Sequence, residues 1–198
     1  MITRNRTKEG CRLRCPVWRS LVAALVAVAA VLVCGRDAAN ASDTADVEIR
    51  IKAAFVYNFA RFVEWPARSH TGSMRIAILG QGELGSPLAE AIRGKTANGR
   101  TIEVARISAV TEADCCEILV IERSESKHVR EIVQALAGRP VLTVCDGASG
   151  FRDGVMIAFQ LFEEAVRFQI NQEAVERAGL KISSQLLKVA LPGPEKHR

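Results

Sequence analysis

Residues 52–66 read Lys52-Ala-Ala-Phe-Val-Tyr-Asn-Phe-Ala-Arg-Phe-Val-Glu-Trp-Pro66. Apolar residues recur here at three- and four-residue spacing, which is the period of a helix with one apolar stripe. With the preceding turn included, Val47, Ile51, Ala54, Phe55, Asn58, Phe59 and Phe62 are expected to line that stripe. The helix is expected from Asp46 to about Glu64. Pro66 cannot continue it and biases Trp65 away from helical geometry.

Upstream the composition changes. Residues 1–20 carry Arg4, Arg6, Lys8, Arg12, Arg14 and Arg19 against the single acid Glu9. An unbroken apolar run of thirteen residues follows, Leu21 to Val33, and then the small-residue site Ala39-Asn40-Ala41. This is the layout of a secretory signal, residues 1–41, cleaved after Ala41. A bilayer span needs about 20 apolar residues, so an uncleaved anchor fits less well. Cys34 follows Leu32-Val33, and valine suits a lipidation site poorly.

Cleavage changes the electrostatics. Residues 1–41 hold seven of the 27 basic and two of the 22 acidic side chains, which leaves 20 of each in 42–198. The basic excess belongs to the signal, and the clustered basic face of a nucleic-acid binder is not expected. The remaining 157 residues suffice for one domain with one core.

Along 42–198 the pattern reads as strand Met74–Leu79, short helix Pro87–Arg93, a turn at Asn98-Gly99, and strand Thr101–Ile107. Strand Glu117–Ile121 follows, then a helix capped by Ser124 or Ser126 that runs to Ala137 before Gly138. Strand Val141–Cys145 comes next. Gly154–Leu161 and Ala165–Ile170 are close enough to form an antiparallel hairpin. Asn171 caps a helix stopped by Gly179, and a last helix covers Ser184–Ala190. The tail 192–198 is expected to fray. The alternation implies a single-domain α/β sandwich: a mainly parallel central sheet, a late antiparallel hairpin and helices on both faces.

One enzymatic motif is present. Gly80-Gln81-Gly82-Glu83-Leu84-Gly85 matches the dinucleotide fingerprint G-x-G-x-x-G between a strand and a helix, with Glu103 about twenty residues on. The helix is too short for that role, however, and Glu103 falls inside the second strand rather than at its end. A turn that needs glycine for its backbone angles is the plainer reading. His70, His128 and His197 lie far apart without metal-ligand spacing, and Cys115-Cys116 is not a zinc motif. No nucleophile elbow or acid pair stands out. Neither catalytic activity nor a cofactor or metal is expected.

Cys115, Cys116 and Cys145 remain after cleavage. If the strands bearing Cys116 and Cys145 are parallel neighbours, their thiols lie at opposite sheet ends. About five residues at roughly 3.3 Å each separate them, beyond disulfide reach. Buried free thiols and a redox or intermolecular role for one of them both remain open.

The whole string Lys52–Pro66 is more specific than an amphipathic helix. It resembles the opening segment of the YfiR-like family of small exported proteins. The resemblance continues through Arg75–Gly80, Cys116–Ile121, Val141–Val144 with Asp146, Gly154–Ile157, Arg167–Asn171 and Gly179–Leu187. It implies a non-enzymatic periplasmic regulator that binds and restrains the periplasmic part of an inner-membrane diguanylate cyclase, as YfiR does YfiN. It further implies release by an outer-membrane-associated partner of the YfiB type, a homodimer, and cyclic di-GMP as the output. The motif residues Lys52, Phe55, Tyr57, Asn58, Phe59, Phe62, Trp65, Pro66, Phe168 and Asn171 mark either the fold or an interface. One departure matters: the cysteines that would pair with Cys116 and Cys145 in YfiR have no counterpart after Gly80 or before Gly154. Redox control of the YfiR kind is therefore in doubt. The alternative is a periplasmic small-ligand sensor or binding module acting on another membrane protein. Its crevice would lie near Gly80–Gly85 and Cys145–Gly147.

Overall fold

The computed structural model describes residues 44–66 and 72–192. The expected signal 1–41, the tail beyond Pro192, His70 and His197 lie outside the described residues. Helix α1 (44–62) comes first and passes without a break into β1 (Val63–Glu64). The expected last helical turn is thus a strand. β1 pairs antiparallel with β9 (Lys181–Ile182), and Ser183 N–H donates to the Phe62 carbonyl at 3.0 Å.

The main sheet has seven strands. They are β2 (Met74–Leu79), β3 (Thr96–Ala97), β4 (Arg100–Ile107), β5 (Ile118–Ile121), β6 (Leu142–Asp146), β7 (Ile157–Phe162) and β8 (Ala165–Ile170), in the order β3-β4-β2-β5-β6-β7-β8. Strands β4, β2, β5, β6 and β7 run parallel, and β3 and β8 are antiparallel edges. The mainly parallel sheet with a late hairpin is the expected architecture.

Inward side chains alternate along each strand and make two cores. Ile76, Ile78, Ile118, Val120, Leu142, Val144, Ile157 and Phe159 face α1, α2 (Gly85–Ile92), α5 (Gln172–Arg177) and α6 (Ser184–Val189). Ala77, Leu79, Leu119, Ile121, Cys145 and Ala158 face α3 (Val129–Ala135), α4 (Ser149–Arg152) and a 3-10 turn, Val110–Cys115. A parallel sheet buried on both faces needs strands that are apolar throughout, and Ile118–Ile121 is buried at every residue.

Two local expectations are corrected. Helix α3 starts at Val129, after a 3-10 turn at Arg123–Glu125, because Ser124 does not cap it. The Ser124 hydroxyl instead accepts the Gln81 N–H at 2.8 Å. The stripe of α1 is also rotated. Lys52, Ala53, Val56, Phe59, Ala60 and Val63 form the buried face, while Val47 and Ile51 are 55% and 39% exposed. Ala54 is exposed, and Phe55, Asn58 and Phe62 flank the contact half-buried.

Candidate functional site

The order β4-β2-β5 reverses direction at β2, so the crevice of a doubly wound sheet opens at the C-terminal ends of β2 and β5. The glycine loop 80–85 lies there. Its donors are already engaged by the protein's own acid. The Glu122 carboxylate, 5% exposed, accepts the N–H of Gly82 at 2.5 Å and of Leu84 at 3.2 Å. Arg106 pairs with it at 2.6 Å and also donates to the carbonyls of Gly80 and Gly82. A Cβ on Gly82 would stand 2.6 Å from that carboxylate. The glycine spacing therefore admits Glu122, and the amides that would cradle a phosphate hold an internal anion. Glu103 pairs with Arg75 in mid-strand, away from this crevice.

A second cluster sits at the C-terminal end of β6. The Lys52 ammonium, 6% exposed, bridges Glu48 and Asp146, the latter at 2.6 Å. Arg123 closes the ring at 3.4 Å from each acid. These four side chains border a cavity of about 210 Å³ with Gly147 and Leu161. Burying an ammonium is tolerable only with such partners.

The motif Lys52–Pro66 fastens α1 to both ends of the sheet. At its start Lys52 grips Asp146. At its end the Trp65 indole N–H donates to the Glu117 carbonyl at 3.1 Å, at the opening of β5. The buried Glu117 carboxylate accepts the Arg75 N–H at 2.7 Å and pairs with Arg100 at 2.7 Å. Between these anchors Phe55 and Phe59 pack edge-on against Phe168, each with ring centroids 5.1 Å away, and both also contact Phe159. Tyr57 donates to the Thr96 carbonyl at 3.4 Å, with Arg61 and Lys95 over its ring. Phe62 lies under Arg61, Asn171 caps α5 through Ala174 N–H at 3.1 Å, and Pro66 is exposed.

The thiols divide by environment. Cys115 is exposed, while Cys116 and Cys145 are buried and free. Burial first, then Glu117, pushes the Cys116 thiol up to about 12. Burial first, then Asp146 and Asp153, does the same to Cys145, also about 12. Both stay protonated at neutral pH and are poor nucleophiles. Cys145 stands opposite Ile121 in the β5–β6 ladder, whereas Cys116 precedes the strand. Exposed His128 contacts Glu125. Among the described residues no group of three His, Cys, Asp or Glu side chains is placed to hold a metal, and no helix is long and apolar enough to cross a membrane.

Residues 49–191 match the YfiR/HmsC-like family. The chain belongs to that family. It is a family of periplasmic regulators that act through a sensor-protein partner. Solved structures resemble the chain weakly. The ABC domain of a Streptococcus pneumonia protein, in complex with L-Trp, is 10% identical at a TM-score of 0.44. The match covers 59% of this chain and 54% of that one. A conserved domain protein from Vibrio cholerae is 11% identical at a TM-score of 0.43, over 59% and 53% of the two chains. This chain thus spans about half the length of those proteins.

Glu48, Arg100, Arg106, Glu117, Glu122 and Arg123 are absent from the sequence-derived site residues. A signal existed for two of them. Glu117 and Glu122 bracket the wholly apolar Ile118–Ile121, where an acid is placed only if something pairs with it.

Proposed function

We propose that this protein is a non-enzymatic periplasmic regulator, exported by residues 1–41. It binds the periplasmic sensor part of a membrane diguanylate cyclase and holds it inactive. The family match over 49–191 carries this reading. The chemistry of the chain supports it. The crevice where an α/β enzyme would hold its ligand is filled by Glu122, and the two buried thiols are held in their unreactive form. A homodimer and an outer-membrane-associated sequestering partner complete the proposal.

Restraint requires only that the protein bind the inactive cyclase better than the active one. A tenfold preference is about 1.4 kcal/mol, within reach of a few buried contacts. Deleting the gene should raise cyclic di-GMP and surface attachment, measured by nucleotide quantification and a biofilm assay. Unchanged cyclic di-GMP, with the cognate cyclase expressed, would overturn the reading. It would favour instead a small-ligand sensor using the cavity beside Asp146.

A further inference from the structure

The outer edge of β4 is open over most of its length. Among the described residues its only neighbour on that side is β3, which pairs with Arg100 and Thr101 alone. Asn98 and Gly99 form the connecting two-residue turn, with φ of 51° and 77°, the type I′ geometry. In such a hairpin the flanking pair, Ala97 and Arg100, is the hydrogen-bonded one, so the Arg100 backbone groups point away from β2. Every second residue does likewise, which turns the N–H and C=O of Ile102, Val104 and Arg106 outward. The slot from Ile102 to Ile107 is about 20 Å long, room for one strand.

Proteins usually guard such an edge with proline, lysine or a bulge. Here the guard is thin, with exposed Glu103 the one acid between Ile102 and Ile107. Ile102–Ile107 holds no proline or lysine. The arginines of the strand are folded back onto the chain. Arg100 donates to the carbonyls of Gly72 at 2.8 Å and Ser73 at 2.6 Å, and Arg106 is held by Glu122 and the glycine loop. Ile102 and Val104 are only half-buried, beside a groove of about 380 Å³ shared with Ile92.

We propose that this edge joins two copies of the chain, β4 against β4, antiparallel about a two-fold axis at Ala105. This rests on the homodimer reading above and names its interface. The β3 arm and Arg106 together select the register, since an axis at Arg106 would set the two Arg106 side chains directly opposite each other. An axis at Val104 would set Ile107 of one copy opposite Thr101 of the other, a position that β3 already occupies. An axis at Ala105 moves every residue of β4 off that position, leaving only Ala109, past the end of the strand, opposite Thr101. Val104 then faces Arg106 of the second copy, and each pair exchanges two backbone hydrogen bonds, four in all. Glu103 faces Ile107, so no like charges stand directly opposite. Each sheet face continues across the axis, because odd residues meet odd and even meet even.

Sedimentation velocity and non-reducing electrophoresis of residues 42–198 test this. The wild type should sediment as a dimer. Val104→Pro removes an N–H that no strand of the monomer uses, and should raise the dimer dissociation constant at least tenfold, about 1.4 kcal/mol, with the circular dichroism spectrum unchanged. Ala105→Cys in a Cys115→Ser background should form a cross-linked dimer. Residues directly opposite in a non-hydrogen-bonded pair have Cα atoms about 4.5 Å apart, within disulfide range. If Val104→Pro fails to fold, the cross-link alone decides. A monomeric wild type removes the homodimer and this interface together. A dimer that withstands Val104→Pro, or does not cross-link at 105, keeps the homodimer and overturns the β4 assignment.

Discussion

Lys52 sits inside the protein, and its ring of ionic partners makes that burial tolerable. The Glu48–Lys52 spacing of four residues is visible in the sequence as an ordinary helix pair. Asp146, 94 residues away, is not, and neither is Arg123. The resemblance to a family marks Lys52 as a motif residue without saying whether it serves fold or interface. Its contacts account for it as an anchor of α1. Lys52→Met should destabilise the protein by roughly 2–3 kcal/mol in urea unfolding, since it leaves two carboxylates facing each other. The value falls at and below the low end of the buried-pair range because the acids are about a fifth exposed and Arg123 remains. Combining it with Asp146→Asn should cost less than the sum of the two single changes. Strict additivity would mean that the ring does not couple α1 to the sheet.

At the scale of elements, the main strands and the hairpin are legible in the sequence because buried parallel strands are continuous apolar runs with clear ends, whereas their order in the sheet is not. The orientation of α1 was not. Two overlapping stripes share Phe59, the expected 47/51/54/55/58/59/62 and the observed 52/53/56/59/60, and periodicity alone does not choose between them. The deciding residue is a lysine in the middle of the buried face. The start of α3 was misplaced for a similar reason: Ser124 serves the glycine loop 43 residues away rather than its own helix. The same loop supports a direct test. Gly82 has no special φ, so Gly82→Ala acts only through its close approach to Glu122. It should destabilise by about 1–3 kcal/mol, the range for disrupting a buried hydrogen-bonded carboxylate. Most of that cost should disappear when the same substitution is made in a Glu122→Ala background. A cost that persists there would show that the loop needs glycine for some reason other than the internal anion.

Across the whole molecule, the first and last described elements are fastened together and to the sheet. Val63 pairs with Ile182 and Glu64 with Lys181, Phe55 and Phe59 pack on Phe168, and Leu191 N–H donates to the Phe168 carbonyl at 2.8 Å. Helix α1 is therefore not an appendage that opens ahead of the rest. Its aromatic cluster belongs to the core that also holds Ile76, Val120 and Val144. Unfolding it alone would open part of that core, which α2, α5 and α6 cover only elsewhere. Trp65 makes this measurable. It is the sole tryptophan of residues 42–198, and it reports the junction of α1 with β5 through its bond to Glu117. Its fluorescence and the far-ultraviolet circular dichroism should therefore give coincident urea transitions, as a single cooperative unit requires. An earlier Trp65 transition would make α1 a separately opening segment. The account of Lys52–Pro66 as the strap across both ends of the sheet would then fail.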